Sequence, residues 1–367
     1  MSRANRLTSL DAFRGFTIAA MVLVNNPGDW SHLYSQLAHA HWHGWTFTDW
    51  IFPFFLFIGG VSMTLSLGRL AAGGADKPAL LIKLARRAIL IFLIGLALNL
   101  IPDFDLMRVR IPGVLQRIAL CTLLAAPLVV YAGWRAQLAA IGILLALYSV
   151  LMLWVPVPGI GAGVLEPGRD MGAYIDRLLL GGHLWKQSVI WDPEGLLSTV
   201  PALCTQLIGV LTGRWLMSSR PRVEQTVWLL MTGLALLWAG AMLDVVLMPI
   251  NKALWTPSFV LFTGGWALLL FGVFYWLLDA NPARRWRARV TRWSTPLLIY
   301  GMNALFIFAF SSLVAKFLMP YGAALNAPLA ALDVAPELRS LLYALLFNAA
   351  MFLVAWAMWR KKWFVKV

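Results

Sequence analysis

What the chain lacks narrows its class before any motif does. There are two cysteines in 367 residues, Cys121 and Cys204, and both fall inside long apolar runs. That pattern offers neither a disulfide framework nor a cysteine-based metal site. Charge is scarce as well, at 13% of residues against about 25% in a soluble domain. Acids are the scarcest charged class, 16 against 30 Lys and Arg, for a net charge of +14. With 60% hydrophobic residues and a mean hydropathy of +0.75, the composition is that of an all-α, polytopic integral membrane protein. The 19 tryptophans fit, because indoles favour the membrane–water interface.

A spanning helix needs roughly 20 mostly apolar residues. Runs of that kind predict about ten spans: 8–27, 47–70, 83–101, 113–131, 136–155, 196–216, 225–247, 257–278, 295–317 and 338–359. The first is not a signal peptide, since it carries Asp11 and Arg14 and no small-residue cleavage pattern follows. Ten helices divide into residues 1–155 and 196–367, five each, on either side of a loop at 156–195. Such halves would have opposite orientations, although internal similarity is faint. The whole reads as one transmembrane domain.

Cations set the orientation. Arg3, Arg6, Lys77, Lys83, Arg86, Arg87, Arg135, Arg220 and Arg222 fall on one side. The cluster Arg284, Arg285, Arg287, Arg289, Arg292 and the tail Arg360-Lys361-Lys362 fall on the same side. The positive-inside rule makes this side cytoplasmic, with both termini. The positive balance is thus a topology signal, and a nucleic-acid partner is not expected. The 156–195 loop and the segment around His39 lie outside.

Two stretches bear chemistry. Ser9-Leu10-Asp11-Ala12-Phe13-Arg14-Gly15 places an acid and a guanidinium where the first helix enters lipid. Charges there are expensive, and their spacing lets them pair along one face. Arg14 is either that ion-pair partner or a receiver of an anionic ligand. The second stretch, His39-Ala40-His41-Trp42-His43-Gly44 with Asp49 behind it, gathers three of the five histidines. They read as interfacial loop residues or as a source of one base or nucleophile. Asp49, at the mouth of the second helix, is placed to hold an imidazole by one ring nitrogen. No carboxylate or cysteine sits at an obvious ligand spacing, and no metal is expected. Asn25, at the end of the first helix, is either a cap or a donor to an oxyanion.

Gln116 and Arg117 lie within the fourth span, where an arginine needs a partner or a wet cavity. Asp192-Pro193-Glu194-Gly195 offers two carboxylates, to a sugar's hydroxyls or to an amine. Asn251 and Lys252 lie in a polar turn from Pro249 to Pro257, with Asp244 close enough to pair with Lys252. Asn303, inside the ninth span, suits helix–helix contact.

Together these segments resemble the bacterial branch of the heparan-α-glucosaminide N-acetyltransferases, within the YeiB-like membrane acyltransferases. The match covers nearly the whole chain. It is carried by Ser9 to Gly15, Val24-Asn25, His39 to Gly44 with Asp49 and Phe52-Pro53, and Pro112 to Arg117. Asp192 to Leu197, Pro249 to Pro257 and Gly301 to Ala304 complete it. The family's active histidine, in a His-Ala-Ser-Trp-Asn-Gly pattern, falls on His39, with His41 and His43 replacing the serine and asparagine. Its important asparagine falls on Asn25. The lysosomal enzyme carries an additional N-terminal region and helix, so ten spans are expected here.

The resemblance implies acetyl-CoA as donor, a hexosamine-like saccharide as acceptor, and a homodimer in membrane lipid. On this reading the protein acetylates an amino sugar at the periplasmic side with cytoplasmic acetyl-CoA. His39 acts as base or nucleophile, direct transfer being the simpler course, with Asn25 and Asp49 assisting. Arg14, Arg117 and Gln116 belong to the CoA side; Asp192, Glu194, Asn251, Lys252 and Asn303 belong to the acceptor side. The rival readings are a sugar transporter with a histidine proton relay, and an acyltransferase acting on a different glycan or lipid.

Overall fold

A computed structural model describes residues 7–68, 70 and 73–365; Arg3 and Arg6 lie outside the described residues. Among those described there are fourteen α-helices and no β-strand. In chain order they are α1 (Thr8–Asn25), α2 (Phe47–Met63), α3 (Lys77–Leu100), α4 (Val114–Tyr131), α5 (Trp134–Leu153) and α6 (Met171–Leu180). Then follow α7 (Thr199–Leu216), α8 (Arg222–Val246), α9 (Pro257–Tyr275) and α10 (Arg284–Trp293). The last four are α11 (Thr295–Met302), α12 (Ala304–Leu318), α13 (Gly322–Ala330) and α14 (Pro336–Arg360). Single π-helical stretches, Thr64–Gly68 and Trp276–Ala280, prolong α2 and α9.

Among the described residues, seven helices are long and apolar enough to cross a membrane: Phe47–Leu67, Val114–Tyr131, Trp134–Leu153, Arg222–Val246, Pro257–Ala280, Ala304–Tyr321 and Pro336–Arg360. The other expected spans, at 8–27, 83–101 and 196–216, are helical but more polar. Asp11 and Arg14 interrupt α1, Lys83, Arg86 and Arg87 open that stretch of α3, and α7 carries Gln206 and Arg214. Hence the count of ten is an expectation that seven helices meet by length and composition.

The expected ninth span, 295–317, is not one helix. It breaks at Asn303 into α11 and α12. The Asn303 side chain is engaged elsewhere, donating to the Trp363 carbonyl at 3.0 Å and accepting from the Val365 N–H at 3.0 Å. A backbone segment after α14 thus takes the amide that would otherwise serve between helices.

The helices α2 and α7 lie in the interior, with α1 and α9 largely buried beside them. Most of α2 and α7 is buried, and they approach backbone to backbone. A Cβ on Gly60 would lie 2.0 Å from the Gln206 carbonyl oxygen, and one on Gly209 would lie 2.1 Å from that of Phe57. Small residues permit this approach, which lets dispersion contacts hold helices together in lipid. Around them Phe13, Phe54, Phe57 and Phe271 form an aromatic cluster. By contrast α8 leaves Val227, Met231, Trp238 and Val245 exposed, an outward face suited to acyl chains.

At the end where α1 begins, Asp279 is a junction. Its carboxylate accepts from the Thr8 N–H at 3.3 Å and the Ser9 N–H at 2.8 Å, satisfying donors that a helix start leaves unpaired. Its carbonyl accepts from Arg222 at 2.8 Å and Arg287 at 3.0 Å. The opposite end carries the His39 segment, the 156–195 loop with α6, and the turn before α9.

Candidate active site

Asp49 organises the His39 end. It occupies the first turn of α2, where the helix dipole favours a carboxylate. Its Oδ2 accepts from the backbone N–H of Thr46 at 3.0 Å, half of a capping box, and from that of Ala40 at 3.1 Å. Thr46 Oγ1 donates back to the Ala38 carbonyl at 2.6 Å. The loop 38–46 is therefore wound around one carboxylate.

The other oxygen, Oδ1, lies 2.6 Å from His39 Nδ1. An ionised Asp49 accepts only, so Nδ1 is the donor in this contact. Exposure separates the partners: the Asp49 side chain is 1% exposed, that of His39 49%. A base oriented from behind and open in front is the arrangement that proton abstraction requires.

Lys252 completes the cluster. Its Nζ sits 3.0 Å from His39 Nδ1, 3.3 Å from Nε2 and 3.5 Å from Asp49 Oδ1. The expected Lys252–Asp244 pair does not form among the described contacts. The Asp244 carboxylate accepts from the Ile250 N–H at 2.5 Å instead. Burial pulls the Lys252 ammonium below the ordinary lysine range, with Asp49 and Glu194 working in the other direction.

Asn251, fully buried, ties this turn to the histidine loop. Its Nδ2 donates to the Trp42 carbonyl at 2.8 Å and lies 3.4 Å from His43 Nδ1, while the Gly44 N–H donates to the Ile250 carbonyl at 2.7 Å. Burial lowers the His43 pKa, Asp244 opposing it. Among the described residues, no three His, Cys, Asp or Glu side chains are grouped to hold a metal ion.

Asp192 and Glu194 are not free carboxylates. Arg110 donates through Nε and Nη2 to both Asp192 oxygens, at 2.8 and 2.6 Å, and through Nη2 to Glu194 at 2.5 Å. Burial would raise the Glu194 pKa, yet Arg110 beside it holds it below the usual range. Arg110 was not singled out from the sequence. The signal was that an isolated pair of acids near lipid needs a cation.

Arg117 also lies at this end, one turn into α4. Its Nη2 donates to the Gly195 carbonyl at 3.0 Å and Ser198 Oγ at 2.5 Å, and its guanidinium stacks 5.1 Å from the Trp255 ring. Its Nε and Nη1 have no hydrogen-bond partner among the described residues. Expected on the CoA side, Arg117 lies here beside the Gly195–Ser198 turn. Its neighbour Gln116 is buried in the α3–α4 seam, where a Cβ on Gly95 would lie 2.4 Å from its Oε1.

Beside this clamp opens a cleft lined by Trp42, Tyr148, Asp170, Asp176, Trp191 and Asp192. Trp42 and Trp191 meet edge to face at 5.2 Å. Burial pushes the Asp176 carboxyl up to about 6, against the Leu196 N–H that favours its charge, and Asp192 adds to the rise. Trp42 was named only within the histidine stretch, and Trp191, Asp170 and Asp176 were not singled out, because they lie far from that stretch in the chain.

Asn25 ends α1 with its side chain exposed, whereas Asn26 is buried and donates to the Val22 carbonyl at 2.7 Å. The local capping bond therefore belongs to Asn26. Toward the other end, Arg14 lies 3.3 Å from Asp11 and donates to Ser62 Oγ at 2.8 Å. Asp49 and Ser62 are separated by roughly 20 Å of rise along α2. Asn303, bound to the tail, does not join the His39 cluster.

Comparison with known proteins finds one recurring name. Residues 6–160, which contain His39, Asp49 and Arg117, match the family described as heparan-alpha-glucosaminide N-acetyltransferase, catalytic. The mouse protein named heparan-alpha-glucosaminide N-acetyltransferase is 28% identical over 100% of this chain and 61% of its own length. The human protein of that name is 30% identical over 99% of the chain and 60% of its own length. The chain thus spans about three-fifths of these curated relatives and resembles them from α1 through α14.

Proposed function

We propose that this chain is a transmembrane acetyltransferase that moves the acetyl group of acetyl-CoA onto an amino sugar or a related saccharide. The observation that carries the reading is the His39–Asp49 pair, with Nδ1 held at 2.6 Å and the ring half exposed. His39 Nε2 takes the proton that the attacking amino or hydroxyl group gives up, then returns it to the departing sulfur. Asp49 fixes the tautomer and steadies the imidazolium. Lys252, beside the ring, and Asn25, exposed at the end of α1, supply donors for negative charge that develops on the carbonyl oxygen.

The donor enters from the end where both termini lie, taken as the cytoplasm of a bacterial cell. CoA is charged and does not cross a hydrocarbon layer unaided. Arg14, partly exposed and about 20 Å along the bundle from Asp49, suits the phosphate-bearing part. The acceptor comes from the periplasmic side. The Trp42–Trp191 edge beside Asp176 suits a pyranose ring with a polar or cationic substituent. Arg117 and Arg110 act by holding the 192–198 turn in place.

The test uses purified protein, labelled acetyl-CoA and a panel of amino sugars headed by glucosamine. Wild type should form acetylated sugar; folded His39→Ala should bind acetyl-CoA and form none. Undiminished transfer by that variant would overturn the assignment. Uptake of labelled sugar into proteoliposomes without acetyl-CoA would favour a transporter instead. Cysteines placed in 156–195 should react in intact spheroplasts, and reaction only after lysis would reverse the orientation.

A further inference from the structure

Between the ends of α9 and α11 lies α10, Arg284-Arg285-Trp286-Arg287-Ala288-Arg289-Val290-Thr291-Arg292-Trp293, remote in sequence and role from the His39 cluster. Its periodicity gives it two unlike faces. Trp286, Val290 and Trp293 share one side. Val290 is buried against Ala12 and Leu278, but Trp286 and Trp293 remain 41% and 67% exposed. Arg287 is turned inward to the Asp279 carbonyl. Arg284, Arg285, Arg289 and Arg292 are all exposed, and α10 holds no acid. None of these four joins an ion pair among the described residues.

We propose that α10 is a seat for anionic phospholipid headgroups. Four guanidinium groups without a protein counter-ion call for phosphate, which they bind through paired N–H donors. The two exposed indoles choose the source. A soluble phosphate would leave them in water, whereas a lipid offers the interface that tryptophan prefers. The position agrees, because α10 joins helices at the level where the apolar span Pro257–Ala280 ends. Through Arg287 and Asp279 the seat is tied to the first residues of α1. This inference is independent of the acetyltransferase reading.

The experiment uses the purified full-length chain in mixed micelles with equal phosphatidylglycerol and phosphatidylcholine, and counts retained lipid by native mass spectrometry. Wild type should retain phosphatidylglycerol preferentially. The R284Q/R285Q/R289Q/R292Q variant should lose roughly tenfold or more of that preference. Should the variant not fold, wild type in about 0.5 M salt should lose the preference by screening of exposed charge. Equal retention of the two lipids by wild type overturns the proposal, as does a preference unchanged in both the variant and high salt. Displacement of phosphatidylglycerol by equimolar inorganic phosphate or CoA also overturns it, by making α10 a site for soluble anions.

Discussion

Gly15 and Gly301 press α1 and α11 together along their backbones. A Cβ on Gly15 would lie 1.7 Å from the Leu297 carbonyl oxygen, and one on Gly301 would lie 2.0 Å from that of Asp11. Neither obstacle is a flexible side chain, so neither can swing aside. Gly15→Ala and Gly301→Ala should each cost about 3 kcal/mol or more in stability, or prevent assembly. Gly142 in α5, with nothing within 4 Å of its would-be Cβ, is the control. Alanine there should be neutral or mildly stabilising. Thermal unfolding of the three variants in one detergent checks the contrast.

Asp49→Asn tests the charge behind His39 with little change of shape. Its side-chain oxygen still accepts from Ala40 or Thr46, but no carboxylate faces Nδ1. Acetyl transfer should fall about 10²- to 10⁴-fold while acetyl-CoA binding persists. Lys252→Met should give a smaller loss, since it leaves the oriented imidazole in place. A larger effect at Lys252 than at Asp49 would move the proton-transfer role to the lysine.

Arg110 is the keystone of the 192–195 turn. Arg110→Met leaves Asp192 and Glu194 buried, adjacent and without their cation. Breaking such a pair costs about 3–5 kcal/mol, so the variant should unfold at markedly lower temperature. Neutralising all three groups in R110M/D192N/E194Q should recover much of the loss. A triple variant no better than the single one would mean the ionic contacts are not what holds the turn.

The sign of the pH effect at Asp176 is set by its raised pKa. An acid at about 6 in the folded chain, against 3.8 when unperturbed, binds more protons folded than unfolded between those values. Stability is therefore lost as pH rises through that window. A shift of that size corresponds to about 3 kcal/mol. Asp176→Asn, which keeps an acceptor for the Leu196 N–H, should raise the melting temperature at pH 7.5. The gain should shrink as pH falls from 6 toward 4. An equal gain at both pH values would trace it to packing.

Local chemistry was legible in the sequence, and distant pairing was not. Asp49 stands three residues after Thr46 and ten after His39, so one loop suffices to join them. Lys252 reaches the same pair across 213 residues. A nearer acid, Asp244, drew attention from it, though a backbone N–H holds that acid. The run 295–317 is evenly apolar and reads as one span. Its break at Asn303 is met by Trp363 and Val365, about sixty residues later. Asp192 and Glu194 advertised themselves as a pair, but which cation meets them depends on how the 101–113 loop folds back, and hydropathy carries no record of that.

The Asp279 junction bears on the order in which the chain is completed. The acceptor for the Thr8 and Ser9 N–H groups lies 271 and 270 residues downstream. At roughly 5–20 residues per second, α1 exists for tens of seconds before its cap has been synthesised. Its earliest contacts must come from elsewhere, among them Phe47 and Phe54 of α2, which meet Phe16 and Phe13. A helix made early is thus capped late, and a nascent chain stalled before residue 279 would carry α1 without that cap.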